Sequence, residues 1–139
     1  VGMYDTEAEA QGKVFVTTEL GGGGTTRAET VRIARRGARN LLIHAGILGG
    51  EIEAGESVLL DMPDAECFVF TEAGGMVEPC ADLGDTVAEG EVIARVWPTD
   101  RTGAAPVEYR ARRGGLLTAR HFPGLVQSGD CLAVVAVEV

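Results

Sequence analysis

The stretch GGMV at residues 74–77, followed by TVAEG at residues 86–90, recurs as GGLL at residues 114–117 and LVQSG at residues 125–129. The paired glycines lie 40 residues apart, and the turn glycines Gly90 and Gly129 lie 39 apart. In each copy a strand follows the paired glycines, a turn contains Val-x-x-Gly, and an apolar strand comes next. The repeat therefore predicts two similar halves that are related by a pseudo-twofold axis and close into a flattened barrel or sandwich.

Each half of this repeat resembles the biotinyl/lipoyl-type barrel-sandwich hybrid. Carriers of that type need a lysine at the hairpin tip between the halves, because their cofactor is attached through its amine. Lys13 is the only lysine in the chain, and the hairpin region 97–106 contains none. We therefore exclude a carrier function and expect the β-domain to have a structural or substrate-gating role.

Residues 13–46 have a different pattern, typical of the last strand–loop–helix unit of an α/β domain. Residues 13–18 alternate like a buried strand, and Glu19 and the four glycines 21–24 follow them. Thr26 and Glu29 have the spacing of a capping box, which predicts a helix that ends at Gly46. The formal charge is +1 over residues 1–46 and −10 over residues 47–139. We therefore place a domain boundary there, with domains 1–46 and 47–139.

Composition excludes several classes of function. An acidic chain of net charge −9 without a basic stripe is not expected to bind nucleic acid. No apolar run is long enough to cross a membrane, so we expect no membrane partner. The cysteines Cys67, Cys80 and Cys131 are odd in number and lack metal-ligand spacing, which is typical of buried thiols in a reducing cytoplasm. The chain begins at Val1, without an initiator Met, directly before the predicted strand over residues 13–18. We therefore expect it to be the C-terminal part of a longer protein.

Glu19 is the candidate reacting group, since a carboxylate at a strand end before a glycine loop is a common place for one. A phosphate-binding loop would need Gly-Lys-Ser/Thr, which is absent from the chain. Taken alone, the residues favour a structural, hydrogen-bonded glutamate over a catalytic base. For the arginines of residues 32–39, the sequence favours a solvated helix face over an anion site. For His44 and His121 it favours structural roles.

The segment VFVTTELGGGGTT at residues 14–26, the arginine-bearing helix that ends in HAGIL, and the GGMVEP and LGDTV motifs together resemble the succinylglutamate desuccinylase/aspartoacylase family. The resemblance spans essentially the whole chain. It implies a zinc-carboxypeptidase-like amide hydrolase in which Glu19 is the general acid/base. It also implies a substrate-binding tyrosine in the β-domain, for which Tyr109 is the candidate, although Arg110 stands where a proline is expected. A core tyrosine in the domain wall is the alternative.

The resemblance places the zinc ligands, a His-x-x-Glu pair and a later histidine, upstream of Glu19. We therefore expect zinc in a full-length parent that acts on a small N-acyl amino acid, and no zinc and no turnover in this chain. The expected fold class is α+β: the terminal strand–loop–helix unit of an α/β zinc-carboxypeptidase-like domain, then a small all-β barrel-sandwich domain. The competing function is a non-catalytic binding or assembly module, and a homo-oligomer is compatible with either.

Overall fold

The computed structural model describes residues 3–139, in which helices and antiparallel sheets form two compact units. The first unit ends at Gly55 and the second covers Glu56–Val139. Val1, which suggested a longer protein, lies outside the described residues. The first unit thus extends nine residues beyond Gly46, and Asn40 holds residue 53 against the helix. The Asn40 side chain donates to the Glu53 carbonyl at 2.9 Å and accepts from the Glu53 N–H at 3.0 Å.

Over residues 3–55, the first unit contains two helices, α1 (Tyr4–Ala10) and α2 (Ala28–His44). The short helix α1 has no counterpart in the sequence predictions. The predicted buried strand over residues 13–18 is wrong, because residues 13–20 have no regular secondary structure. Val14 and Val16 are 97% and 60% exposed. A strand is stabilised by a hydrogen-bonded neighbour, and no strand of residues 3–139 pairs with this segment.

Helix α2 begins one residue later than the predicted capping box. Arg27 is the N-cap residue, and Thr30 accepts the Arg27 N–H through its hydroxyl at 3.2 Å, so Thr30 replaces Glu29 in the box. The predicted end is confirmed. Gly46 has a φ of 70° and donates to the Ile43 carbonyl at 3.0 Å, while Ile47 donates to the Leu42 carbonyl at 2.9 Å. These two bonds form a Schellman motif, which requires a left-handed residue at this position.

The second unit consists of strands and one short 3-10 turn, Ala65–Cys67. Its nine strands among the described residues are β1 (Leu60–Asp61), β2 (Phe68–Phe70), β3 (Gly75–Pro79), β4 (Thr86–Val87), β5 (Val92–Trp97), β6 (Val107–Arg110), β7 (Gly115–Arg120), β8 (Leu125–Val126) and β9 (Cys131–Glu138). All the pairings are antiparallel. One sheet has the order β1-β9-β7-β4, with β2 also paired to β9, and the other has the order β6-β5-β3-β8.

The strand pairings follow the sequence repeat. Strands β2 to β5 correspond in order to β6 to β9, with starting residues 39 or 40 positions apart. Each pairing between strands of the repeat has a counterpart: β3 pairs with β5 as β7 pairs with β9, β3 pairs with β8 as β7 pairs with β4, and β2 pairs with β9 as β6 pairs with β5. Hydrogen bonds repeat as well, since Gly129 donates to the Thr71 carbonyl at 2.7 Å and Gly90 donates to the Ala111 carbonyl at 2.8 Å.

Two glycines of the repeat are required because another backbone passes close to them. A side chain at Gly75 would place its Cβ 2.2 Å from the Trp97 carbonyl oxygen, and one at Gly115 would lie 2.2 Å from that of Ala136. Both clashes are with backbone, which a rotamer change does not relieve.

The core of the second unit consists of two clusters of buried residues from both halves. The first is built around Val69, Val87, Ile93, Ala111, Leu117, Ala133 and Val135, and the second around Ala94, Val96, Val126 and Leu132.

Candidate functional site

Glu19 lies in the first unit, between the irregular segment 13–18 and the glycine loop. Its side chain is exposed, and within residues 3–139 the carboxylate has no hydrogen bond or ion pair. The structural alternative, a glutamate held by hydrogen bonds at a strand end, has no support in this part of the chain. A carboxylate without a partner is free to accept a proton from a bound molecule.

Three of the four glycines after Glu19 form a tight turn with Thr25. Thr25 donates its backbone N–H to the Gly22 carbonyl at 3.1 Å, which closes a four-residue turn. Its central residues, Gly23 and Gly24, have φ values of 60° and 68°. Two consecutive positive φ angles are the signature of a type I′ turn, which glycine adopts without steric cost.

Gly21 links this turn to Glu19 and is also constrained. Its φ is 89°, and a Cβ at this position would lie 3.2 Å from the Thr25 carbonyl oxygen. Gly22 differs from the other three, because its φ is not positive and a Cβ there would meet nothing within 4 Å. The backbone conformation therefore requires glycine at three of the four positions.

An apolar groove of about 600 Å³ runs along one face of α2 beside the segment that leads to Glu19. The lining residues are Val16, Thr17, Thr18, Ile33, Ala34, Gly37, Ala38, Asn40, Leu41, His44 and Ile52. The predicted apolar face of the helix is thus open, and α2 has no buried residue. His44 occupies the last turn, where an imidazolium interacts favourably with the helix dipole.

The arginines of α2 lie among carboxylates rather than around an empty anion site. Arg32 and Arg36 share a shallow surface depression with Glu29 and Glu53. Arg27 forms an exposed ion pair with Glu29 at 3.2 Å. This mixture of charges supports the solvated-face interpretation.

Tyr109, the candidate substrate-binding residue, lies on β6 in the second unit. Its hydroxyl is 2.9 Å from the hydroxyl of the buried Thr71 and accepts the Glu72 N–H at 3.1 Å. Its ring packs against both core clusters. These contacts favour the structural alternative, and the substrate-binding role stays a prediction.

One surface cluster of polar side chains was not predicted from the sequence, because its members are distant from one another along the chain. On the sheet that contains β3 and β5, the Trp97 indole donates to Glu78 at 2.6 Å, and Arg95 bridges Glu78 at 3.0 Å and Glu108 at 3.3 Å. The indole bond and then Arg95 hold the pKa of Glu78 below its usual value. Beside Trp97, the exposed Met76 pairs with both Trp97 and Leu125 across the strands.

The described residues do not fit a metal centre. Over residues 3–139, no group of three or more His, Cys, Asp and Glu side chains is arranged to hold a metal ion. The His121 ring instead contacts the fold, with its Nδ1 3.3 Å from the Cys131 carbonyl oxygen. No helix in this range is long and apolar enough to span a membrane.

The three cysteines are free, as expected, but only Cys67 is fully buried. Cys80 and Cys131 are half-buried, which corrects the prediction that all three are buried. Burial raises the pKa of the Cys131 thiol. Burial therefore works against an activated thiolate at Cys131, while the Arg113 guanidinium lies 3.5 Å from the Sγ of the fully buried Cys67.

No family model matches the chain. It is 51% identical over 136 residues to the N-alpha-acetyl-L-2,4-diaminobutyric acid deacetylase of Halomonas elongata, a match that covers 96% of this chain and 40% of that protein.

Two solved structures are similar over nearly the whole chain. The product-bound ectoine utilization protein EutE (DoeB) from Ruegeria pomeroyi gives a TM-score of 0.94 at 62% identity, over 98% of this chain and 42% of that one. A succinylglutamate desuccinylase/aspartoacylase from Rhodobacter sphaeroides gives 0.91 at 32% identity, over 97% and 43%. The chain thus spans about two fifths of the proteins it matches, and by sequence and fold it is similar to members of the succinylglutamate desuccinylase/aspartoacylase family.

Proposed function

We propose that this chain is the C-terminal part of an N-acyl amino acid deacylase, to which it supplies Glu19 as the general acid/base. The observation that carries the proposal is the 51% identity to a deacetylase over 96% of the chain. That match includes the segment around Glu19 and the four glycines. The Glu19 side chain is exposed and has no partner among residues 3–139, so it is accessible to a bound substrate.

The chemistry assigned to Glu19 is the transfer of one proton. The carboxylate takes a proton from the attacking water as the water oxygen bonds to the acyl carbon. The resulting carboxylic acid then gives this proton to the amide nitrogen as the carbon–nitrogen bond breaks, and so releases a free acid and an amine. The side-chain-free turn that follows leaves room for the substrate beside Glu19.

We propose that the whole enzyme is zinc-dependent, with its metal ligands in a part of the protein outside this 139-residue chain. Zinc, when bound in such enzymes, polarises the acyl oxygen and lowers the pKa of water. The described residues hold no group that could bind it, so we assign this chain no step that runs through the metal.

The proposed substrate is a small N-acyl amino acid, and an acetylated diamino acid is the first to test. The Halomonas elongata relative is named for the deacetylation of N-alpha-acetyl-L-2,4-diaminobutyric acid. Tyr109 remains the candidate for substrate contact in the second unit. A homo-oligomer and a cytoplasmic location are part of the same proposal.

We also propose the finer domain assignment made from the sequence. Residues 1–46 would be the end of an α/β catalytic domain, and the open groove on α2 supports this, since helices of such domains bury an apolar face against a sheet. Residues 47–139 would form a barrel-sandwich hybrid. The reciprocal pairing of β3 with β8 and of β7 with β4 supports that assignment.

The competing function, a non-catalytic assembly module, has one observation in its favour, the exposed apolar side chains of Met76, Trp97 and Leu125. An exposed patch is common to many interaction surfaces and specifies no partner. The deacetylase activity in the relative's name therefore weighs more than this patch.

The decisive experiment is Glu19→Gln in the longer enzyme that carries these residues. We expect normal folding and a loss of turnover of about 10²–10⁴-fold, the usual contribution of a general base. Glu29→Gln is the matched control, because Glu29 is also exposed and pairs only with Arg27 among the described residues. Near-normal turnover by Glu19→Gln would remove Glu19 from the mechanism, and an inactive Glu29→Gln would show that the loss is not specific.

A further inference from the structure

Thr25 ties the glycine turn together through its side chain. Its hydroxyl donates to the Gly22 carbonyl at 2.9 Å, the same oxygen that accepts its backbone N–H at 3.1 Å. Its own carbonyl oxygen lies against Gly21, where a Cβ would be only 3.2 Å away. Thr25 thus contacts the turn at the two glycines nearest to Glu19.

A loop of four glycines has little order of its own. Glycine has more accessible backbone conformations than any other residue, so such a loop populates many states unless other groups fix it. Gly21, Gly23 and Gly24 must all keep positive φ angles in this turn. The Thr25 hydroxyl supplies a side-chain bond inside the loop that selects this arrangement.

The position of Glu19 depends on the same loop. Glu19 is separated from Gly21 by one residue, and within residues 3–139 no side-chain bond of its own holds it. A displacement of about 1 Å in a reacting group can cost about 10²-fold in rate. A loop that moves would therefore move the carboxylate out of its productive position.

We propose that Thr25 is a positioning residue, which orders the glycine turn and so aims the Glu19 carboxylate at the substrate. This inference rests on the proposed acid/base role of Glu19. It assigns no substrate contact to Thr25, and it predicts an effect on turnover rather than on substrate affinity or on folding.

The test compares Thr25→Val, Thr25→Ser and Thr26→Val in the longer enzyme, with Glu19→Gln assayed in parallel. Valine keeps the shape of threonine and removes the hydroxyl, whereas serine keeps the hydroxyl. Thr26 is an exposed neighbour whose side chain makes no hydrogen bond in this part of the chain. We expect Thr25→Val to lower kcat by about tenfold, the scale of one lost hydrogen bond, with KM and Tm nearly unchanged. Thr25→Ser and Thr26→Val should retain kcat within about twofold.

The outcomes separate the two hypotheses. If Glu19→Gln is inactive and Thr25→Val matches Thr26→Val, Thr25 has no positioning role and the acid/base role stands. If Thr25→Ser loses as much kcat as Thr25→Val, the hydroxyl is not the cause, and the inference is wrong. If Glu19→Gln is nearly normal, the proposed function is wrong and the inference about Thr25 is lost with it.

Discussion

Gly22 and Gly24 offer a comparison at the scale of single residues, because both have space for a methyl group but differ in backbone conformation. Neither would bring a Cβ within 4 Å of another atom, yet Gly24 has a φ of 68° and Gly22 is not in the left-handed region. An alanine at Gly24 would carry the strain of a left-handed conformation, about 1–2 kcal/mol. An alanine at Gly22 would carry none.

We therefore expect the two substitutions to affect different kinetic constants of the longer enzyme. Gly24→Ala should lower kcat by about tenfold with little change in KM, because it shifts the turn away from its native form. Gly22→Ala should leave kcat nearly unchanged and raise KM by about tenfold, since its methyl group intrudes on the space left for the substrate. Steady-state kinetics of both variants provide the measurement. An unchanged KM for Gly22→Ala would mean that the glycines serve the turn and not substrate clearance.

Tyr109 joins elements of the second unit that are distant in sequence. It lies on β6, and its hydroxyl contacts Thr71 and Glu72, which follow β2. Removal of the hydroxyl leaves the Glu72 N–H without this partner, and the lost bond is worth about 1 kcal/mol.

Tyr109→Phe should accordingly lower the free energy of unfolding of the second unit by about 1–2 kcal/mol. Urea unfolding of the 139-residue chain, followed by the fluorescence of its only tryptophan, Trp97, reports on that unit. Tyr4→Phe is the control, because Tyr4 is 82% exposed in the first unit. Unchanged stability of Tyr109→Phe would argue against the structural role. A raised KM of the same variant in the longer enzyme would support the predicted substrate contact.

The elements that local sequence determines were predictable, and those that depend on distant partners were not. The prediction of helix α2 was confirmed because the signals that define it, its apolar spacing and the glycine at its end, lie within the helix and directly after it in the sequence. Residues 13–18 have the composition of a strand but no neighbour to pair with among the described residues. The repeat indicated similar halves, but not which half supplies the neighbours of β3 and β7, since that pairing joins residues far apart.

The candidate site divides in the same way. Glu19 and its glycines were identified from the sequence, while the role of Thr25 depends on φ angles that a run of glycines does not specify. A threonine directly after a glycine turn is the one signal that could have suggested it. The environment of Tyr109 required the contact with Thr71, 38 residues away in sequence.

At the scale of the whole molecule, the two units differ in how they are stabilised. Every fully buried residue that the structure describes lies in the second unit, between Cys67 and Ala136. The first unit instead exposes large apolar side chains on α2 and beside it, including Val31, Ile33 and Leu41. The second unit alone has a core of its own.

The 139-residue chain by itself should bind no stoichiometric zinc and hydrolyse no N-acyl amino acid. A catalytic zinc site needs about three protein ligands, and residues 3–139 bring no such group together. Metal analysis after dialysis against zinc and an assay of acetate release from an N-acetyl diamino acid measure the two properties, with the longer enzyme as the positive control. One bound zinc per chain, or measurable turnover, would contradict this expectation.

The reciprocal strand pairing of the second unit has a consequence for how that unit folds. In the first repeat, strands β2 and β4 lie in one sheet and strands β3 and β5 in the other. In the second repeat, β7 and β9 join the sheet of β2 and β4, and β6 and β8 join the sheet of β3 and β5. Neither repeat can complete a sheet without strands from the other, so the two must fold in a single cooperative step. A single repeat, expressed alone, could satisfy its strands only by association with a second copy. The present unit thus has the form of two interlocked subunits joined into one chain.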